Sequence, residues 1–311
     1  MLRKDKNRCS MWYSLPIDTR FWQPGGRMHN IVAAVMALLL WCGAALAQDS
    51  VHFASLDGTT ELDGYLYRPA GEGRHPAIVG LHGCSGLFSR ATGFIAPIYR
   101  EWAAELNRLG YVVLLVDSFR PRNHGEMCSI QGFELDLYRT RPKDAYGALW
   151  YLQSQPFVRG DRIGLVGWSQ GGGVTLFSIG AQSLGRPANL PQGDFRAAVA
   201  FYPGSCNIER QPSDWTSRIP LLVLMGAEDV WTPPAPCKTF LDGAIGRGAP
   251  IEMQIYPGAY HAFDAPNLNR LELPAYRTRA GVVPIVGTDP AARQDALARV
   301  PAFFARDLDT P

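Results

Sequence analysis

Charge of either sign is scarce: Asp, Glu, Lys and Arg make up 19% of the 311 residues, and the formal net charge is only +2. That balance, with 47% hydrophobic residues, excludes a disordered chain and gives no footprint for a polyanion. Cysteines number six, none in C-x-x-C spacing, which argues against a disulfide scaffold and against structural zinc. Gly and Pro total 56, too few for a low-complexity or collagen-like chain. No basic block, phosphate-binding G-x-x-x-x-G-K loop or H-E-x-x-H is present, so nucleic-acid, nucleotide and zinc-protease readings have no support.

What is present begins with one long apolar run, Ile31 to Ala47, ending in Ala45-Leu46-Ala47. Seventeen residues are short for a membrane span, no stop-transfer pattern follows, and the A-x-A ending is what signal peptidase reads. Residues 28–47 are therefore read as a cleaved signal peptide with the cut after Ala47. Residues 1–27 are read as an upstream extension or a mis-assigned start, with Met28 as the alternative first residue. The remainder, 48–311, carries 24 Lys and Arg against 26 Asp and Glu, so the apparent basicity belongs to the leader. The expectation is a secreted or periplasmic protein with no stable membrane association. Its cysteines Cys84, Cys128, Cys206 and Cys237 would then be free to pair.

After an alternating hairpin (Val51–Ser55 and Leu62–Arg68, around Asp57-Gly58), the pattern changes to short apolar runs separated by helical stretches. The runs are Ala77–His82, Tyr111–Asp117, Arg162–Trp168, Ala197–Tyr202, Leu221–Gly226 and Ile251–Tyr256. Helices are expected at Ile98–Leu109, from Pro142 to about Gln153, from Gly171 to about Ala181, near Pro234–Ile245 and over roughly Pro290–Arg306. Strands apolar on both faces that alternate with helices indicate a mostly parallel α/β sheet covered on both sides. Chemistry in such sheets sits just beyond the carboxyl ends of the strands. No internal repeat or linker interrupts 48–311, so one domain is expected.

The third run ends in Gly167-Trp168-Ser169-Gln170-Gly171, a G-x-S-x-G between a strand and a helix. That context makes Ser169 a candidate nucleophile. A Ser hydroxyl needs a base, and among the five His of 48–311 only His261 follows Ser169, as the chain order of this arrangement requires. The acid that orients the imidazole is expected at Asp229, one strand earlier; Asp264, three residues past His261, is the rival. Two oxyanion donors are expected: the backbone N–H of Gln170 and, from the loop His82-Gly83-Cys84-Ser85-Gly86, the N–H of Cys84. His82 is expected to shape that loop rather than act as base.

These pieces (LHGCSG, YVVLLVDSFRPR, GLVGWSQGG, LMGAEDVWTP and YPGAYHAFD) together resemble the dienelactone hydrolase family of α/β-hydrolases over nearly all of 48–311. The resemblance implies an α/β-hydrolase fold, with Ser169, Asp229 and His261 as triad and Cys84 and Gln170 as oxyanion hole. The namesake enzymes carry Cys where this chain has Ser169 and Glu where it has Gly83, which moves the expectation from their lactone chemistry to a general ester hydrolase. The implied activity is cleavage of a small-molecule ester or lactone through an acyl-enzyme, with no cofactor and no metal. A peptide or amide hydrolase on the same triad and a silent binding protein are the alternatives. Only residues 203–220 separate the fourth and fifth runs, so no lipase-like lid is expected. Trp168, Trp231, Phe119 and Tyr260 could line an acyl pocket or be ordinary packing. The family's carboxylate-binding Arg points to Arg122, or else Arg120, as a contact for an anionic substrate, with pairing to surface acids as the alternative. In this fold the first and second runs are neighbours, as are the fourth and fifth, which implies Cys84–Cys128 and Cys206–Cys237.

Overall fold

The computed structural model describes residues 48–130 and 135–309; the expectations for residues 1–27 and 28–47, including the cut after Ala47, lie outside them. Strand β1 (Gln48–Ala54) turns back into β2 (Glu61–Tyr67), and Asp57 closes the turn by accepting from the Thr59 and Thr60 amides at 2.9 Å each. The chain continues through β3 (His75–Leu81), α1 (Pro97–Arg108), β4 (Val112–Asp117), α2 (Leu135–Gln153), β5 (Val158–Trp168) and α3 (Gln170–Ile179). It is completed by β6 (Ala197–Phe201), β7 (Leu221–Gly226), α4 (Pro234–Gly246), β8 (Ile251–Tyr256), the short β9 (Leu271–Glu272) and β10 (Ile285–Val286), and α5 (Pro290–Leu308).

Eight strands form one sheet in the order β1-β2-β4-β3-β5-β6-β7-β8, parallel from β4 onward and antiparallel at the β1-β2-β4 edge. Alternation along each strand divides the core into two layers. In β4, Val112, Leu114 and Val116 pack with α2, α3 and α4, whereas Val113 and Leu115 pack with α1 and α5. Both faces are thus covered, which is why the strands read as continuous apolar runs.

Helix α2 begins at Leu135, seven residues before the start expected at Pro142. A proline inside a helix removes one backbone hydrogen bond, but packing outweighs that loss here. Leu137, Tyr138 and Arg141 ahead of Pro142 lie on the same buried side as Ala145, Ala148, Leu149 and Leu152 behind it. No large lid is inserted between β6 and β7. The excursion that the apolar pattern did not mark lies after β8, where residues 266–289 fold as a two-stranded ribbon of β9 and β10. Among the described residues, no helix is long and apolar enough to cross a membrane.

Candidate active site

Ser169 stands at the end of β5, immediately before α3, with φ 55° and ψ −115°. Few non-glycine residues adopt such a backbone, and the surroundings over-determine it. Its N–H donates to the Phe201 carbonyl at 2.9 Å, and its own carbonyl accepts from Gly173 at 3.0 Å and Gly204 at 2.8 Å. The tight turn also explains two of the glycines. A Cβ on Gly167 would collide with the Gly171 carbonyl, and one on Gly171 would collide with the Leu81 carbonyl of β3.

His261 lies in the loop after β8, and Asp229 in the turn after β7. The Ser169 hydroxyl is 3.0 Å from His261 Nε2, and His261 Nδ1 is 2.7 Å from Asp229 Oδ2. The acid is held in turn. Its Oδ1 accepts from the Trp231 and Thr232 amides at 2.8 and 2.9 Å, and its Oδ2 from the Thr232 hydroxyl at 2.7 Å. Asp229 has acceptors only, so Nδ1 carries the ring proton and Nε2 is left to accept from Ser169. Asp229 is 2% exposed and His261 3% exposed, so little water competes for these bonds. The imidazole is flanked by the rings of Tyr202 and Trp231, with centroids 4.4 and 4.9 Å away. Glu228 is exposed, as alternation with Asp229 predicts.

Asp264, the rival acid, is buried elsewhere. It accepts from Trp102 Nε1 at 2.8 Å, Trp168 Nε1 at 3.0 Å and the Tyr202 hydroxyl at 2.8 Å. Burial pushes its pKa up, and those three donors offset part of the shift. Asp264 therefore braces the residue before Ser169 and a ring against His261, without bonding to the imidazole.

The loop after β3 runs beside Ser169, since a Cβ on Gly83 would lie 3.3 Å from the Ser169 Cβ. The Cys84 carbonyl accepts from Met127 at 2.7 Å, and Cys84 is bonded to Cys128. The amides of Cys84 and Gln170 have no acceptor among the described residues. His82 is neutral: its Nδ1–H donates to the Gly83 carbonyl at 2.7 Å and its Nε2 accepts from the Ser118 amide at 3.2 Å. Burial and the charge of Arg141 push its pKa well below the ordinary imidazole value. Cys206–Cys237 joins the loop after β6 to α4.

A cavity of about 270 Å³ opens beside Ser169 and His261, walled by Ile98, Trp231, Leu268, Leu273, Tyr276 and Val286 among others. No Lys, Arg, Asp or Glu is among its described lining residues. His261 is tied to the ribbon that forms one wall, because its carbonyl accepts from Gly287 at 3.1 Å.

The dienelactone hydrolase family model matches residues 62–308. The chain belongs to the dienelactone hydrolase family. Among its relatives, the "Probable 2-oxo-3-(5-oxofuran-2-ylidene)propanoate lactonase" of Bradyrhizobium sp. is 26% identical over 205 residues, 64% of this chain and 77% of that protein. Among solved structures, a dienelactone hydrolase-like promiscuous phosphotriesterase from metagenomic libraries matches with TM-score 0.60 and 20% identity, over 84% of this chain and 98% of that one. A thermophilic esterase of Thermogutta terrifontis with propionate bound matches with TM-score 0.60 and 18% identity, over 83% of this chain and 94% of that one. At those identities the structural likeness is one of fold.

Within this dienelactone hydrolase fold, the residues expected to hold substrate divide. Trp231 lines the cavity; Trp168 also lines it but is buried and bonded to Asp264. Phe119 and Tyr260 do not line it. Phe119 is buried edge-on against His82, centroids 4.5 Å apart, and Tyr260 lies under the Arg270 guanidinium at 4.7 Å. Arg122 does not face the cavity either. Its guanidinium bonds Asp144 at 2.7 and 2.9 Å, Asp57 at 2.7 Å and the Ser118 carbonyl at 2.8 Å. Asp144 is fully buried, and an unpaired buried carboxylate is costly, so the fork of Arg122 serves as its counter-charge. Arg120 lies over the Phe88 ring at 3.3 Å, in a separate hollow with His124. Sequence reasoning also passed over Thr232, Tyr202 and Arg141. Of these, only Arg141 leaves a trace in the sequence, a charge at helical spacing among Tyr138, Ala145 and Leu149.

Proposed function

We propose that this protein is a serine hydrolase that cleaves a small, uncharged carboxylic ester or lactone through an acyl-enzyme. The observation that carries this reading is the unbroken chain of hydrogen bonds from Ser169 Oγ through His261 to Asp229. In the first step Ser169 Oγ attacks the substrate carbonyl carbon and its proton passes to His261 Nε2. Asp229 holds the tautomer and stabilises the imidazolium. The carbonyl oxygen becomes an oxyanion that accepts from the Cys84 and Gln170 amides. Collapse breaks the ester C–O bond, and the leaving oxygen takes the proton from Nε2. Water, deprotonated by the same nitrogen, then releases the acid and restores Ser169.

The apolar lining of the cavity supports an uncharged acyl group or lactone ring, and nothing in it supports an anionic one. Two disulfides support export, since such bonds persist in oxidising compartments. An organophosphonate probe should label Ser169 and no other residue, and Ser169→Ala or His261→Ala should abolish labelling and turnover. Labelling at another serine overturns the assignment. Matched p-nitrophenyl esters and anilides separate ester from amide hydrolysis, with the ester expected to be strongly preferred. Fractionation of the producing cell should find the protein outside the cytoplasm with Gln48 at its N-terminus. A cytoplasmic product would refute export.

A further inference from the structure

Arg141 is a full cation sealed inside α2, with no exposed surface and no carboxylate within ion-pairing distance among the described residues. The nearest acid along the helix, Asp144, is already engaged by Arg122 and by the Ser55 hydroxyl at 2.7 Å. Burying a charge without a direct ion pair is unfavourable. Burial pushes the guanidinium pKa down to about 10, with Asp144 opposing the shift, so it stays protonated at neutral pH. His82 beside it is neutral and supplies no compensation.

The two bonds Arg141 makes are both to neutral acceptors. Its Nη2 donates to the His82 carbonyl at 2.7 Å and its Nη1 to Gln170 Oε1 at 2.9 Å, while its Nε is buried without a partner. These acceptors lie on different elements, the loop after β3 and the start of α3. Each belongs to one of the two segments that carry the candidate oxyanion donors. His82 leads directly into Gly83-Cys84, and Gln170 bears the other amide itself. One side chain thus clamps both halves of the oxyanion hole. It also brings a positive charge whose nearest compensation is the field of Asp144, without an ion pair.

We propose that Arg141 is the positioning residue of the oxyanion hole, fixing the Cys84 and Gln170 amides through His82 and the Gln170 side chain, and that its charge favours the anionic form of the substrate carbonyl oxygen. The proposal rests on the reading of Ser169 as nucleophile. Charge held in place before the reaction is the kind that lowers a barrier, because no reorganisation is needed as the oxyanion forms. The guanidinium touches no substrate; it acts through the groups it holds and through its field.

The test compares wild type with Arg141→Met, Arg141→Lys and Gln170→Ala, using phosphonate titration to count active sites. Phenylboronic acid, which forms a tetrahedral anion on a nucleophilic serine, is compared with benzyl alcohol, a neutral ground-state competitor. Arg141→Met should lower kcat per titrated site by about 30-fold or more, within the range for losing one oxyanion donor, at nearly unchanged KM. It should weaken phenylboronic acid by at least about tenfold and leave benzyl alcohol within about twofold. Arg141→Lys, which keeps the charge but cannot span both acceptors, should fall in between. A lower Tm with kcat per site and the boronate-to-alcohol ratio unchanged would make the residue purely structural and overturn the proposal. Parallel weakening of boronate and alcohol would also overturn it. If Arg141→Met does not fold, the other two variants decide. Gln170→Ala keeps the backbone N–H but removes one acceptor, and should weaken the boronate about threefold or more, with Arg141→Lys costing less on that background than alone. Wild-type boronate affinity in both variants overturns the proposal. Absence of phosphonate labelling in wild type would refute the nucleophile reading instead.

Discussion

The two disulfides should be nearly equal in stability and unequal in catalysis. Cys84–Cys128 closes a sequence separation of 44 residues and Cys206–Cys237 one of 31. Loop-closure entropy gives about 4 kcal/mol for the first and about 3.7 kcal/mol for the second, a difference too small to resolve. For a domain of this size either loss should lower Tm by roughly 8–16 °C. The functional positions differ. Cys84 carries a candidate oxyanion amide, and its bond to Cys128 reinforces the Met127 amide's hold on the Cys84 carbonyl, 2.7 Å away. Cys206 lies in the loop after β6 and is tied to α4; it carries no donor, and the loop meets the Gln170 peptide through Gly204, whose amide donates to the Ser169 carbonyl at 2.8 Å. Cys84→Ala/Cys128→Ala and Cys206→Ala/Cys237→Ala double variants should be measured by urea unfolding and by kcat per phosphonate-titrated site on a short p-nitrophenyl ester. The first pair should lose about tenfold in kcat, less than the cost of removing a donor outright, because the N–H remains and only its support is loosened. The second pair should keep kcat within about twofold. Equal kcat in the two double variants, or a larger loss in the second, would refute the view that the first bridge supports the oxyanion loop.

Asp229→Asn should lower kcat by on the order of 10⁴, since an amide at that place favours the wrong imidazole tautomer, whereas Asp264→Asn should cost far less in kcat and more in Tm. The reverse order would make Asp264 the triad acid. Arg122→Ala should destabilise the fold by about 3 kcal/mol, because it leaves the buried Asp144 unpaired, and should change neither neutral nor acidic ester turnover by more than about twofold. A selective tenfold loss on the acidic ester would restore a recognition role for Arg122. Burial pushes the Asp57 carboxyl upward, but hydrogen bonds from Arg122, Thr59 and Thr60 outweigh it and hold the group well below the usual carboxylate range. A depressed folded-state pKa adds stability that is present above the unfolded value, about 3.9, and is lost as pH falls below it. The Tm gap between wild type and Asp57→Asn should therefore narrow once pH drops below about 4, and a gap that widens there would contradict the assignment.

The sheet was legible because its strands are covered on both faces and its turns carry Gly or Pro. The same clarity applied to Ser169 and His261, where a glycine-flanked serine and a lone downstream histidine left little choice. For Arg122 the sequence leaves substrate contact and pairing with acids both open, for a physical reason. A short sequence window cannot tell a cation facing substrate from one neutralising an acid 22 residues away on another element. Helix α2 was started too late because Pro142 reads locally as a first turn, while the burial of Leu137 and Tyr138 is decided by elements far along the chain. Arg141 shows the converse case. It precedes the helix start expected at Pro142, and only the fold reveals that both its acceptors lie beside the candidate oxyanion donors.

The ribbon of residues 266–289 supplies Leu268, Leu273, Tyr276 and Val286 to the cavity, yet it contributes none of the groups that would make or break bonds. Selectivity and chemistry are therefore written on separable stretches of chain. Selection, natural or in the laboratory, can recut this wall to admit a longer or bulkier acyl group while Ser169, His261 and Asp229 stay as they are. The freedom has a boundary at the Gly287–His261 backbone bond, where the wall meets the proposed base. Diversity introduced around Arg277–Gly281 at the far tip should be tolerated, while changes beside Val286 would alter substrate choice and turnover together.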